Sequence, residues 1–553
     1  MTNKQVNTVT NIIIPLVAGF IFIPFLGQVH LFDWDEINFA ESAREMIVSG
    51  DYLTVQIDYQ PFWEKPPLFI WLQVASMKMF GINEFAARFP NAISGMLTLL
   101  LLFNFGKRIY NYRFGIIWSV SYVVSVLPFF YFKSGIIDPW FNLFIFCGIY
   151  FLYLQIKAHR KHIRRLNAFA SAFFIGLAVL TKGPVGFLIF FLTGIIFLII
   201  KRFRVKIKWS EIGIMAITLM LTGGFWFLLQ IINGNFSVIR DFIEYQVHLF
   251  QSQGAGHGGF PLYHVVVLLF GVFPASIFAI AGMVKKPKEE NPFKQDFKVL
   301  MVILLLTVLI LFSIVQTKII HYSSMCYFPI TFLASLSIHH ILIRNQKPFS
   351  WITFSLMTIA ILYALILGFI TLIGTNESII VNLDILNDPF ALASLNASVN
   401  WTGYEAVTGL ILIAGMLMYV IQKRRQDYKA MFLSLGLTSL IFVFTTMVVF
   451  TPRIEKYTQH AAIEFYKEKS AEDAYIEPLG FKSYAHLFYG RKPMPEHEKS
   501  YSEEWLLNGN IDKKAYFVMK INKAERYLSG NQQLTKLYEK NGFVFAVRKL
   551  EEK

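Results

Sequence analysis

Charge is what this sequence has least of. Only 16% of its 553 residues are Asp, Glu, Lys or Arg, against roughly a quarter in soluble domains, and this excludes a string of soluble domains. Cysteine is nearly absent: Cys147 and Cys326 are the two in the chain, both inside apolar runs, which excludes a disulfide framework and a thiolate metal site. There is no internal repeat, no low-complexity segment, and no basic run interleaved with aromatics of the kind that reads nucleic acid. The first apolar run, Ile12 to Leu26, is not followed by a small-residue cleavage site in Gly27-Gln28-Val29-His30, so it reads as a retained span rather than a leader.

Apolar length is what the chain has instead. Hydrophobic residues make up 55% of it, with a mean hydropathy of +0.49. Runs of about 17–25 apolar residues, the length that crosses a bilayer, predict thirteen spans. They centre near residues 20, 98, 123, 148, 174, 192, 221, 272, 307, 334, 362, 412 and 440. Alternate connections carry 25 of the 51 basic residues, including five from Lys157 to Arg165 and five from Lys201 to Lys208. The opposite connections, up to Arg453, carry eight: Arg44, Lys65, Lys78, Arg88, Lys133, Lys182, Arg240 and Lys318. Because basic loops stay on the cytoplasmic side, this bias predicts a cytoplasmic N-terminus and, with thirteen spans, an external C-terminus. The formal charge of +15 is then mostly a topology signal. Cations that persist on the outer side against that bias, Lys65, Lys133, Lys182 and Lys318, are candidates for holding an anion at the membrane surface.

Three outer segments are long enough to build a site: 29–88, 233–260 and 374–403. The first is rich in carboxylates. There Asp33 or Asp35 is placed to cap a helix over Glu36–Ser49, with Gly50 as its stop. A second helix is expected to start at Pro66-Pro67; both read as helices lying on the bilayer surface. Asp35-Glu36 puts two carboxylates at one helix start, where only one can cap. Glu64-Lys65-Pro66-Pro67 and Thr181-Lys182-Gly183-Pro184 each set a lysine beside a helix start whose N–H groups are free, a ready phosphate site. The plainer reading of these lysines is snorkelling. Asp138-Pro139 opens a span on the same side as an N-cap. Lys318, His321 and Tyr322 can reach one headgroup-level anion. In 233–260, His248, His257 and His264 are too far apart to be ligands by spacing, and a metal would need a carboxylate such as Glu64 to converge on one of them. Glycines 254, 256, 258 and 259 suggest a lid. From about Arg453 the chain turns polar, with strand-like Ala515–Met519 and Phe543–Val547 flanking a helical stretch from Asn522 to Lys540, a small α/β outer domain whose sequence shows no chemical motif.

Together these residues resemble the aminoarabinose-transferase type of polyprenyl-phosphate-sugar glycosyltransferases, membrane enzymes of the GT-C fold related to protein O-mannosyltransferases. The resemblance rests on Asp35-Glu36 with Phe39-Ala40-Glu41 and Glu45-Met46, on Lys65-Pro66-Pro67-Leu68 with Trp71-Leu72, on Gly81 with Arg88-Phe89-Pro90, and on Thr181-Lys182-Gly183-Pro184. It implies an all-α multi-span membrane protein of GT-C type with about thirteen transmembrane helices and a small α/β outer C-terminal domain. Residues 1–450 would be the transmembrane glycosyltransferase domain, with outer loop 29–90, and 451–553 a soluble periplasmic domain. By resemblance, Asp35, Glu36 and Asp138 are the catalytic candidates. Lys65, Lys182, Lys318 and Tyr322 are the donor-phosphate contacts, and Glu64, with His248 and His257, is the candidate metal set. Lys318-Ile319-Ile320-His321-Tyr322 departs from the family's Lys-Leu-Pro-x-Tyr pattern at Ile320. The implied reaction is inverting transfer of a hexosyl or pentosyl group from an undecaprenyl-type phosphate carrier to lipid A, a glycan or a protein at the outer face of a bacterial inner membrane. No cofactor is required, a divalent metal is allowed, and no nucleic acid is involved. A multi-span transporter and a noncatalytic lipid-headgroup binder are the alternatives. The first is expected to show repeats and midplane charges, and the second needs the lysines without Asp35-Glu36.

Overall fold

The computed structural model describes residues 3–204, 207–251, 259–284, 291–376, 379 and 387–550. Among them nine helices are long and apolar enough to cross a bilayer, and eleven spans result if each of two bent pairs counts as one. The bent pairs are Trp209–Gly223 with Phe225–Ile232, at 55°, and Tyr263–Gly271 with Ala275–Met283, at 114°. The two other expected spans are shorter: Tyr112–Val123 is followed by Val126–Tyr131, and Val185–Ile200 has 16 residues. Every expected centre falls within one of these helices or, near 272, at the break of the second bent pair. The last long helix runs from Tyr428 to Lys456.

Local chemistry sets the boundaries that matter. Asn83 accepts the Ala86 N–H and starts Glu84–Ile109, and Asn111 does the same for Tyr112–Val123 through Phe114, each satisfying a free N–H of the first turn. The first outer segment folds as two helices, Asp35–Ser49 and Leu68–Phe80, with the short antiparallel strands β1 (Gln56–Ile57) and β2 (Gln60–Pro61) between them. Gly50, at φ 73°, closes the first by returning its N–H to the Met46 carbonyl, as expected. The expected side-chain cap is not formed. Trp34 occupies the cap position without a side-chain bond, while Asp33 is drawn to the Ser483 hydroxyl at 2.5 Å.

The expectation of a helix lying on the surface needs correcting for the first of the two. Residues Glu36 to Met46 are buried, because the C-terminal domain sits on them. A second apolar core joins Ile37, Phe39 and Phe69 of the first outer segment to Phe465, Val518 and Phe545 of that domain. The domain is a four-stranded sheet of order β3 (Ala474–Leu479), β4 (Lys514–Lys520), β6 (Phe543–Arg548) and β5 (Leu534–Lys540), with β3 parallel to β4 and the others antiparallel. The helix expected over Asn522–Lys540 is helical only as Ile521–Gly530. The rest is strand, because Asn541 and Gly542, at φ 50° and 79°, make a two-residue hairpin turn that pairs Lys540 with Phe543. An Asn-Gly pair is a strong hairpin signal, and it was the clue to this strand.

Under the domain lies a buried acidic pair. Arg44 holds Glu41 with two bonds of 2.7 Å, and Glu45, one turn on, accepts the Tyr59 N–H at 2.9 Å. Burial, with the Glu41 carboxylate adding to it, pushes Glu45 up to about 9. The folded chain therefore keeps a proton that the unfolded chain loses in the ordinary carboxylate range. Between those values stability falls as pH rises, by at most about 1.4 kcal/mol per pH unit. Glu45→Gln, which cannot ionise, is expected to melt with the wild type at pH 5 and above it at pH 8. A difference that does not change with pH would mean that native Glu45 is ionised.

Candidate active site

Asp35 opens the first-loop helix and stays half-exposed, its Oδ2 3.4 Å from His321 Nε2. Its neighbour Glu36 is used differently. Arg88 donates Nε to its Oε1 at 2.9 Å and Nη2 to its Oε2 at 2.7 Å, and the Gly135 and Phe32 N–H groups complete the shell at 2.5 and 2.9 Å. Burial alone would raise this carboxyl, but Arg88 and the two N–H groups hold it below the usual carboxylate range. Glu36 is thus a buried ion-pair partner with both oxygens engaged, a geometry that fits a positioning role rather than the expected catalytic one. It fixes the start of the helix that presents Asp35.

Across from Asp35, two helix junctions supply cations. The helix Lys161–Lys182 stops at Gly183, at φ 91°, and Pro184 precedes Val185–Ile200, as Thr181-Lys182-Gly183-Pro184 predicted. Lys182, left at the break, donates Nζ to Asp138 Oδ1 at 2.7 Å and lies 5.6 Å from the centre of the Tyr322 ring. Asp138 is therefore an ion-pair partner and not the N-cap expected, a position taken by Ile137 without a side-chain bond. Lys65, just before the helix Leu68–Phe80, stands 5.1 Å from the Tyr245 ring centre. Among the described residues it makes no ion pair. Burial lowers the Lys65 ammonium; Glu64, Asp35 and Asp138 counter this while Lys182 adds to it. All five charges thus share one electrostatic neighbourhood, and His321 sits in the same field. The short 3₁₀ helix Ile320–Cys326 that carries His321 and Tyr322 is pinned by Asn142, which donates to Ser324 Oγ at 2.7 Å.

Other expected contacts lie elsewhere. Lys318 donates Nζ to the Phe312, Ser313 and Val315 carbonyls at 3.1, 2.7 and 2.6 Å. It caps the C-terminal end of the helix Pro292–Ile314, where a cation meets the negative pole and unpaired carbonyls, so it is not available to a phosphate. Lys133 likewise turns to the Pro24 carbonyl at 2.5 Å. Glu64 Oε2 accepts the Tyr245 hydroxyl at 2.7 Å. The His248 side chain, His257 and most of the expected glycine lid lie outside the described residues, so no metal set forms around Glu64 among the described ones. The spacing of the sequence did not mark Tyr245; its partnership with Glu64 and Lys65 exists only in three dimensions.

The chain as a whole has relatives among known proteins. Residues 64–226 match the family model described as dolichyl-phosphate-mannose-protein mannosyltransferase. An undecaprenyl phosphate-alpha-4-amino-4-deoxy-L-arabinose arabinosyl transferase 1 of Proteus mirabilis is 25% identical over 371 residues, 65% of this chain and 66% of that protein. An uncharacterized protein of Aquifex aeolicus is 29% identical over 218 residues, 38% of this chain and 42% of that one. The matched segments thus span about two thirds or less of these relatives. Over the whole chain the fold is that of the solved ArnT from Cupriavidus metallidurans. The form bound to undecaprenyl phosphate superimposes with a TM-score of 0.75, 17% identity and 98% of each chain covered; the apo form gives 0.72. The expected multi-span helical fold with a small C-terminal sheet and the likeness to aminoarabinose transferases both stand.

Proposed function

We propose that this chain is an integral membrane glycosyltransferase that moves a sugar from an undecaprenyl-type phosphate carrier to an acceptor at the outer membrane face. The observation that carries this reading is the meeting, at one end of the helix bundle, of a half-exposed carboxylate, Asp35, with Lys65, an ammonium that makes no ion pair among the described residues, and a Lys182–Asp138 ion pair. Lys65, Lys182 and Tyr322 hold the donor phosphate. Their charge and hydrogen bonding stabilise the negative charge that grows on it as the glycosidic bond breaks. Asp35, on the opposite element, takes the proton of an acceptor hydroxyl, or orients an acceptor that is already an anionic phosphate. The sugar inverts at its anomeric carbon. Lipid A, a glycan or a protein serves as acceptor. The N-terminus faces the cytoplasm, and the C-terminal domain faces the periplasm of a bacterial inner membrane. No metal-dependent step is needed for this chemistry.

The test is transfer of radiolabelled sugar from a panel of purified polyprenyl-phosphate sugars to a total membrane extract. Label moving to a product is the expected result, and its identity names donor and acceptor. No transfer from any donor by folded protein would overturn the reading. Lys65→Ala, which removes the site cation that has no carboxylate partner among the described residues, is expected to weaken donor binding about 10- to 100-fold, since a charged hydrogen bond is worth about 1.5–3 kcal/mol. Unchanged donor affinity in a direct binding assay would remove Lys65 from the phosphate site.

A further inference from the structure

A second cluster of chemically active side chains lies outside the candidate active site. His30, at the start of the first outer segment, Glu455, at the end of the last long helix, and His460, which opens the helix His460–Lys469, converge with one ligand atom each within 4.8 Å of the others. His30 Nδ1 is 2.9 Å from Glu455 Oε1, and His460 Nδ1 is 3.2 and 3.0 Å from Oε1 and Oε2 of the same carboxylate. Glu455 is buried, with 3% of its surface exposed, and among the described residues no lysine or arginine reaches it. A buried carboxylate is costly unless a cation balances it, and a metal ion held by the carboxylate and both imidazoles would be such a cation.

We propose that His30, Glu455 and His460 form a divalent-metal site of the zinc class that ties the C-terminal domain to the outer segment carrying Asp35. Two imidazoles and one carboxylate are a common zinc donor set, and ligand atoms bound at about 2.0–2.1 Å in a tetrahedron lie about 3.4 Å apart, close to the spacing here. The surroundings fit as well. His30 Nε2 faces Glu464 Oε1 at 3.4 Å, so that carboxylate can accept its N–H and leave Nδ1 free for the metal, the usual carboxylate–histidine–metal arrangement. Lys467 Nζ, 3.5 Å from the same nitrogen, pairs with Glu464 at 3.2 Å. The Tyr489 ring stacks edge-on against His30, and its hydroxyl accepts the Leu31 N–H at 2.7 Å. Gln459 donates to the Leu31 carbonyl at 2.6 Å. The three ligands come from three separate elements, so one ion would cross-link them.

The experiment uses the full-length chain in detergent, free of any affinity tag, stripped with chelator, exposed to zinc chloride and desalted. Wild type is expected to retain about one zinc per chain more than His460→Gln and than His30→Gln, and zinc is expected to raise the melting temperature of wild type but not of the variants. Equal zinc in all three proteins would overturn the site, as would a melting temperature that follows pH in this region and ignores zinc, the signature of a shared proton. If a variant fails to fold, cobalt chloride added to stripped wild type decides: an intense visible band of tetrahedral cobalt supports the site, and only the weak band of hydrated cobalt overturns it. Sugar transfer is not a readout, so the outcome is independent of the proposed activity.

Discussion

Asp35→Asn is expected to leave folding intact and to lower sugar transfer by at least about 100-fold, the range general-base catalysis supplies. Folding should be spared because Asp35 is half-exposed and its one ion-pair contact among the described residues, to His321, is long at 3.4 Å. Asparagine keeps the shape and loses only the capacity to take a proton or bear charge. Transfer should fall because the other carboxylates near it are engaged: Asp138 with Lys182, Glu64 with the Tyr245 hydroxyl, and Glu36 with Arg88. The comparison is between wild type and variant in the same labelled-sugar assay, with membrane yield and melting temperature as controls. Near-normal turnover would take Asp35 out of the mechanism. Retained donor binding without transfer would separate this chain from a receptor that only holds a lipid headgroup.

Arg88→Leu is expected to cost more in stability than Asp35→Asn, Lys65→Ala or Glu45→Gln. Arg88 gives Glu36 two bonds and donates to the Leu26, Val29 and His30 carbonyls at 2.8, 2.7 and 2.9 Å, so it binds the segment that follows the first span to the loop helix. Removing it strands the buried Glu36 charge, and breaking one side of a buried pair typically costs about 3–5 kcal/mol. The expected result is a collapse in the yield of monodisperse protein in detergent, with partial recovery in Arg88→Leu/Glu36→Leu, where no charge is left unpaired. A well-folded but inactive Arg88→Leu protein would instead return Glu36 to the reacting centre.

The contrast between Asp35 and Glu36 shows where sequence reading stops. Two adjacent carboxylates at a helix start are equivalent in a pattern, yet one stays half-exposed beside His321 and the other points back at an arginine 52 positions away. Arg88 was visible in Arg88-Phe89-Pro90, but its partner was not. Lys318 carried the same ambiguity. Beside His321 and Tyr322 it reads as an anion contact, until the end of the preceding helix is known well enough to see that its carbonyls take the ammonium. Lys65 and Lys182 were legible because their neighbours encode the geometry: proline before one helix, and glycine then proline at the other break, leave a lysine at a junction whatever the rest of the fold does. The strand Leu534–Lys540 is legible too, because the Asn541-Gly542 turn signal outweighs the helical spacing before it.

The sequence by itself determined the membrane class, the places where apolar helices lie, the junctions that expose Lys65 and Lys182, and the loop that supplies Asp35. These follow from hydropathy, proline and glycine, whose effects act over a few residues and do not depend on distant partners. Only the tertiary structure decided which charges pair with one another, that the C-terminal domain buries the first-loop helix, and that His30 meets Glu455, 425 residues away, with His460 beside it. Pairing of charges and convergence of ligands depend on distances of a few ångströms between segments remote in the chain. No local pattern carries that information, because the energy that selects it is realised only when the segments pack.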